Sequence, residues 1–117
     1  MRPIKFRGKT KEDKWVYGSL HVPTDPEDNC YYILEDNTDA AEVEVINSTI
    51  GQFTGLSTNY GQMIYENDVL RYRGHFYYVK YCKGSFIVSS LDEEENIPLY
   101  MISNYSKVIG VIYGKLI

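Results

Sequence analysis

The residues best able to carry chemistry crowd into one stretch, Gly51 to Val69, which reads GQFTGLSTNYGQMIYENDV. Gly51, Gly55 and Gly61 stand among the hydroxyls of Thr54, Ser57 and Thr58, the texture of a phosphate-cradling loop. Such a loop needs G-x-x-x-x-G-K-[ST] between a strand and a helix. The stretch contains no lysine, and the residues after it are strand-like, so a phosphate cradle is not expected. Glu66 and Asp68 could form a carboxylate pair for acid–base work or Mg²⁺ binding, and Glu93, Glu94 and Glu95 supply further acids. The structural reading of Asp68 is stronger: a carboxylate that accepts main-chain N–H bonds in a turn and ties off the next strand. The Glu93–Glu95 run reads as a solvated loop that keeps a sheet edge soluble. His21 and His75 each fall in strand-like sequence, with no nucleophile and orienter beside them. Cys30 and Cys82 lie in no C-x-x-C pattern, so neither zinc nor a reactive thiol is indicated. No catalytic residue, metal or cofactor is expected.

The elements that must position these residues are mostly strands. Ile4 and Phe6 alternate with Lys5 and Arg7, as in a half-buried strand with its basic side chains outward. In WVYGSLHV, Trp15, Tyr17 and Ser19 face one way and Val16, Leu20 and Val22 the other, which completes an antiparallel hairpin. CYYILE and VEVI read as two more strands, separated by acidic loops. The opening stretch has no regular period. After it, DVLRYRG, HFYYVKY and KGSFIVSS read as strands turning at Arg73–Gly74 and Lys83–Gly84. PLYMIS reads as a strand or one helical turn. KVIGVIYG, from Lys107 through Tyr113 and beyond, is apolar on both faces and reads as a strand that is central or buried on both sides. The expected fold is mainly β: an N-terminal antiparallel sheet followed by a small, half-open, SH3-like barrel. The 117 residues suit one domain, divisible into residues 1–50 and 61–117, with a joint in which Gly55 and Gly61 set turns and Phe53, Leu56 and Ile64 seek burial.

Composition agrees with a β-rich chain: 12 tyrosines, 4 phenylalanines, and alanine only at positions 40 and 41. The net charge of −4 argues against a broad nucleic-acid footprint. Charge is unevenly spread, however. Arg2, Lys5, Arg7, Lys9, Lys11 and Lys14 cluster at the start, and eight acids lie between Asp25 and Glu44 without a lysine or arginine. Two solvated faces are the plain reading; pairing between ends, or between copies, is the other. The opening MRPIKFRGK lacks the apolar core of a signal peptide, and no apolar run reaches the ~20 residues that span a bilayer. A cytoplasmic protein with reduced thiols and no membrane partner is the expectation.

Arg71, Tyr72, Arg73, Tyr77 and Lys80, with Tyr78 and Tyr81, interleave basic and aromatic groups. Such a surface suits a protein or self-association interface. It also suits single-stranded nucleic acid, through base stacking and phosphate contacts. Tyrosines that fill a core with their hydroxyls reaching outward are the structural alternative.

The residues also carry a resemblance. IKFRGK, WVYGSL, IGQFTGL, NYGQMIYENDV and the closing VIGVIYG resemble the YopX family, small proteins of bacteriophages and prophages. Gly51, Gln52, Phe53, Thr54, Gly55 and Leu56 match the family's G-Q-[FY]-T-G-L. Gly61, Ile64, Tyr65, Glu66, Asp68 and Val69 match the segment that follows, which closes I-Y-E-G-D-[IV]. The chain departs where Asn59 and Tyr60 replace a charged or polar turn, and where Asn67 replaces the glycine of E-G-D. Asparagine tolerates a left-handed backbone, so that turn can survive. The resemblance implies a mainly β fold and a phage-linked origin, and brings no activity with it. Together these readings point to a non-enzymatic accessory protein that binds a phage or host protein or pairs with itself. The alternative is a single-stranded nucleic-acid-binding module.

Overall fold

The computed structural model describes residues 4–25, 27, 29–35 and 42–112. Expectations placed on Arg2, Asp28, positions 36–41 and Tyr113 lie outside the described residues. The chain divides into two compact units, Met1–Gln52 and Phe53–Ile117. Both are built from antiparallel strands, and neither of the two sheets closes into a barrel. Among the described residues no helix is long and apolar enough to cross a membrane.

The first unit contains β1 (Phe6–Lys9), β2 (Trp15–His21), β3 (Tyr31–Glu35) and β4 (Val43–Val45), and the first two residues of β5 (Gly51–Ser57). Hydrogen bonding runs in the order β4-β3-β2-β1-β5. Alternation along the strands puts Val16, Ile33 and Val45 in a small core, with Phe6, Leu20, Tyr31, Val43 and Ile50 packed around it. The β2–β3 pairing allows no side chain at Gly18, where a Cβ would lie 1.9 Å from the Leu34 carbonyl oxygen. Thr49 ties the 3₁₀ turn Asn47–Thr49 to β1: its Oγ1 accepts the Lys9 N–H at 2.8 Å and donates to the Ile46 carbonyl at 2.6 Å. Arg7 departs from the outward direction read from alternation. It is 7% exposed, its guanidinium 4.5 Å from the Trp15 ring centre. Attraction to the indole face and burial of its aliphatic stem account for that placement.

The second unit begins within β5 and continues with β6 (Met63–Tyr65), β7 (Asp68–Tyr72), β8 (His75–Cys82), β9 (Ser85–Ser90) and β10 (Asn96–Pro98). A helical turn, α1 (Leu99–Ile102), and a 3₁₀ turn (Ser103–Tyr105) then lead into β11 (Lys107–Val111). β5 pairs with β6 at Phe53↔Tyr65 and Ser57↔Met63, with an irregularity between, where Gly55 has φ 86°. The five-stranded sheet has the order β10-β9-β8-β7-β11. The β7–β8 and β8–β9 turns have positive φ at both central residues, Arg73–Gly74 and Lys83–Gly84, the backbone of tight two-residue hairpins. Leu70, Tyr77, Val79 and Val88 line the inner face and bury Ile64, Leu99 and Ile102. Each fully buried aliphatic side chain contributes roughly 1.5–3 kcal/mol.

Of the two readings of PLYMIS, Leu99–Ile102 takes the helical turn, because Leu99 and Ile102, three apart, both turn inward. One element differs from the sequence reading. Within KVIGVIYG, β11 (Lys107–Val111) is an edge strand rather than a doubly buried one: among the described residues it pairs only with β7, and Ile109 is 46% exposed. A register shift between Val108 and Gly110 lets Val108 pack on the core while Ile109 turns out.

Candidate interaction surfaces

In the glycine-rich stretch, side chains are spent on the main chain. Thr54 Oγ1 donates to the Ile64 carbonyl at 2.8 Å and accepts the Leu56 N–H at 3.2 Å. Thr58 Oγ1 accepts the N–H groups of Tyr60 and Gln62, and the Thr58 N–H donates to the Gln62 carbonyl at 2.9 Å. Gly61 takes φ 80° in that turn and Asn67 takes φ 74° in the next. Asp68, 1% exposed, accepts the Tyr65 N–H on Oδ2 at 2.8 Å. Gly51 and Gln52 pair with Arg7 and Phe6, while the Phe53 and Tyr65 rings meet tilted, their centres 5.5 Å apart. Glu66 sits half-buried in the β6–β7 turn. The chemistry of this set is hydrogen bonding to backbone.

His75 lies opposite Tyr72, at the far end of β7 from Asp68, so Glu66, Asp68 and His75 do not converge. His21 bonds Glu42 through Nδ1. Among the described residues no group of three His, Cys, Asp or Glu side chains is placed to hold a metal ion. Cys30 and Cys82 form no disulfide and belong to different units.

The five basic and aromatic residues divide between two faces of the second sheet. Tyr77 is 4% exposed and belongs to the core, with the Tyr72 ring 6.3 Å away. Arg73 sits on the β7–β8 turn, its guanidinium 5.3 Å from the Tyr72 ring. Arg71 and Lys80 project from the opposite, outer face: Arg71 opposes Phe76, and Lys80 opposes Ile87. Outer-face groups that the sequence reading left out are Phe76, 46% exposed, and Lys107, which opposes Arg71 on β11.

At the Arg73–Gly74 end, the β9–β10 loop closes over an open cavity of about 500 Å³ lined by His75, Phe76, Tyr77, Asp92, Glu94 and Glu95. The loop is a built structure. Ser90 Oγ donates to Asp92 Oδ1 at 2.6 Å and accepts the Glu95 N–H at 3.0 Å, and Asp92 Oδ1 also accepts the Glu94 N–H. These donors hold the Asp92 carboxyl below its ordinary range. Burial, then the nearby Glu95 carboxylate, raises the Tyr77 phenol. Burial and a bond from its hydroxyl to Glu93 push Tyr78 up to about 12. The cavity therefore presents carboxylates beside aromatic rings, a surface that attracts cations and repels phosphate.

The α1 segment presents a different chemistry. Leu99 and Ile102 anchor it in the core at 0% and 3% exposure, while Tyr100, Met101 and Tyr105 stand 72%, 55% and 75% exposed. Period-three spacing of Leu99 and Ile102 was the available signal, and the ambiguity between strand and helix hid it.

Comparison with known proteins adds lineage. No curated protein matches the chain. A family model described as "YopX protein" matches residues 5–115, nearly its whole length. The signature stretch sits inside that match, with the Thr54 and Thr58 hydroxyls bonded to the backbone that they shape. The chain is a member of the YopX family.

Proposed function

We propose that this protein is a non-enzymatic interaction module, of the phage or prophage accessory type that the resemblance implies. It binds a protein partner, first of all a second copy of itself. One observation carries the reading: Tyr100, Met101 and Tyr105 expose three large side chains within six residues of a helical segment whose own anchors are buried. Tyrosine and methionine are enriched where proteins meet, and contiguous exposed apolar groups mark such surfaces. The sheet edges are less suited to the task. β10 carries Pro98, and main-chain groups of β11 are engaged by a side chain, Gln62. The non-enzymatic part is supported by Thr54, Thr58, Gln62 and Asp68 of the signature stretch, whose side chains bond the backbone. The succession β7-β8-β9-β10, a helical turn, then β11 returning to β7 supports a reading of the second unit as an SH3-like half-open barrel. We propose that relationship for the second unit.

Sedimentation equilibrium over a wide concentration range tests the reading. Reversible association that weakens in a Tyr100→Ser/Tyr105→Ser variant supports it. A wild-type chain that remains strictly monomeric removes self-association, and association unchanged in the variant removes this surface.

A further inference from the structure

The outer face of the second sheet carries an arrangement with no structural use. Lys107 on β11 and Arg71 on β7 are direct cross-strand partners, and both are exposed. Like charges placed opposite one another destabilise a sheet. Among the described residues no carboxylate pairs with either one. Glu93 is engaged with Tyr78 and with Lys80 at 3.9 Å.

Exposed aromatic rings flank the two cations. On one side the Lys107 ammonium lies 5.8 Å from the Tyr60 ring centre, and Tyr60 is 73% exposed. On the other side Arg71 opposes Phe76 on β8, 46% exposed. Tyr60 is held in place rather than loosely displayed. Its N–H bonds Thr58 Oγ1, and Gln62, two residues on, grips Val108 next to Lys107. The row therefore reads Tyr60, Lys107, Arg71, Phe76, with neighbouring strands about 4.8 Å apart.

We propose that this row is a binding site for single-stranded nucleic acid. A phosphate bridging Lys107 and Arg71 relieves their repulsion, and the bases on either side stack on Tyr60 and Phe76. Rings on both sides of the cation pair favour planar bases over the carboxylates of an acidic peptide. Phe76 also borders the acid-lined cavity, so the backbone of the strand runs on the β7–β11 side, away from Asp92, Glu94 and Glu95. This site differs from the surface of the proposed function and stands or falls independently of it. With one bridged phosphate, affinity falls with salt at a log–log slope of about −0.7.

Fluorescence anisotropy of labelled oligo-dT and oligo-U at low salt, with a duplex of equal length and poly-glutamate as competitors, provides the test. The expected result is single-strand binding that neither competitor displaces efficiently. Arg71→Gln/Lys107→Gln should abolish both the binding and its salt slope, whereas Arg71→Lys/Lys107→Arg should retain both. Tyr60→Ala should weaken binding about fivefold or more with the slope unchanged. Circular dichroism of each variant confirms that it is folded. Absence of binding to either oligonucleotide, equal displacement by poly-glutamate, or binding unaltered in a folded Arg71→Gln/Lys107→Gln chain would overturn the proposal.

Discussion

The side-chain amide of Gln62 binds both main-chain groups of Val108: its Nε2 donates to the carbonyl at 3.2 Å and its Oε1 accepts the N–H at 3.0 Å. The N–H and C=O of one strand residue point the same way, so Gln62 acts as a one-residue strand on the outer side of β11. Thr58 Oγ1 adds a bond to the same Oε1 at 3.3 Å.

Gln62→Leu removes both bonds at similar volume. Stability should fall by about 1–3 kcal/mol, since two main-chain groups lose their partners. Urea denaturation measures the loss, and hydrogen exchange at the Val108 amide should quicken.

Asp68→Ala leaves the Tyr65 N–H without its carboxylate in a buried turn. A cost of about 1.5–3 kcal/mol is expected. Asp68→Asn keeps an acceptor and should recover part of it, as thermal melting would show.

Gly18 and Gly61 should fail differently. At Gly61 a Cβ meets nothing within 4 Å, so alanine costs only the left-handed backbone, about 1–2 kcal/mol. Gly61→Val should cost more, because a branched side chain tolerates φ 80° less well. At Gly18 even alanine collides with the Leu34 carbonyl, so Gly18→Ala should separate β2 from β3. Amide exchange across Ser19–His21 would report the separation.

High pH should expose Tyr78. Its phenol titrates near 12 in the folded chain and near 10.0 when unfolded. The stabilisation is complete below pH 10 and disappears as pH rises toward 12, because the unfolded chain loses its proton first. Tyr78→Phe should flatten that decline, and absorbance titration of tyrosinate should lose its latest component.

Tyr100→Ser and Tyr105→Ser should leave stability within about 0.5 kcal/mol of the wild type, since both side chains are solvent-exposed. Any change in association then reads the surface and not the fold.

Strands with clean alternation were legible in the sequence. WVYGSLHV gave β2, CYYILE gave β3, and the turns at Arg73–Gly74 and Lys83–Gly84 are where the glycines put them. β5 and β6 were not legible, because the irregular pairing around Gly55 breaks the period of two. Apolar residues on both faces of β11 suggested a central strand, but sequence cannot show a distant glutamine finishing an edge. The candidate surfaces were legible only in part. Residue types marked Arg71 and Lys80, yet the sheet pairs Arg71 with Lys107 and Phe76 and sends Tyr77 inward, and cross-strand register is not written in local sequence. Tyr60 meets Lys107 only because the Thr58–Gln62 turn lies beside β11.

The strand order of the second unit also sets a sequence of events in folding. β7, β8, β9 and β10 each pair with a chain neighbour, so they zip from local contacts. β11 must return to β7 from beyond the helical segment, and loop-closure entropy places that step late. Until it arrives, β7 presents a bare flank on which another chain could add itself. Gln62 acts after that closure, fastening the last strand once it has docked. Its removal should therefore speed unfolding while leaving the folding rate nearly unchanged, so the residue governs how long the native state lasts rather than how quickly it forms.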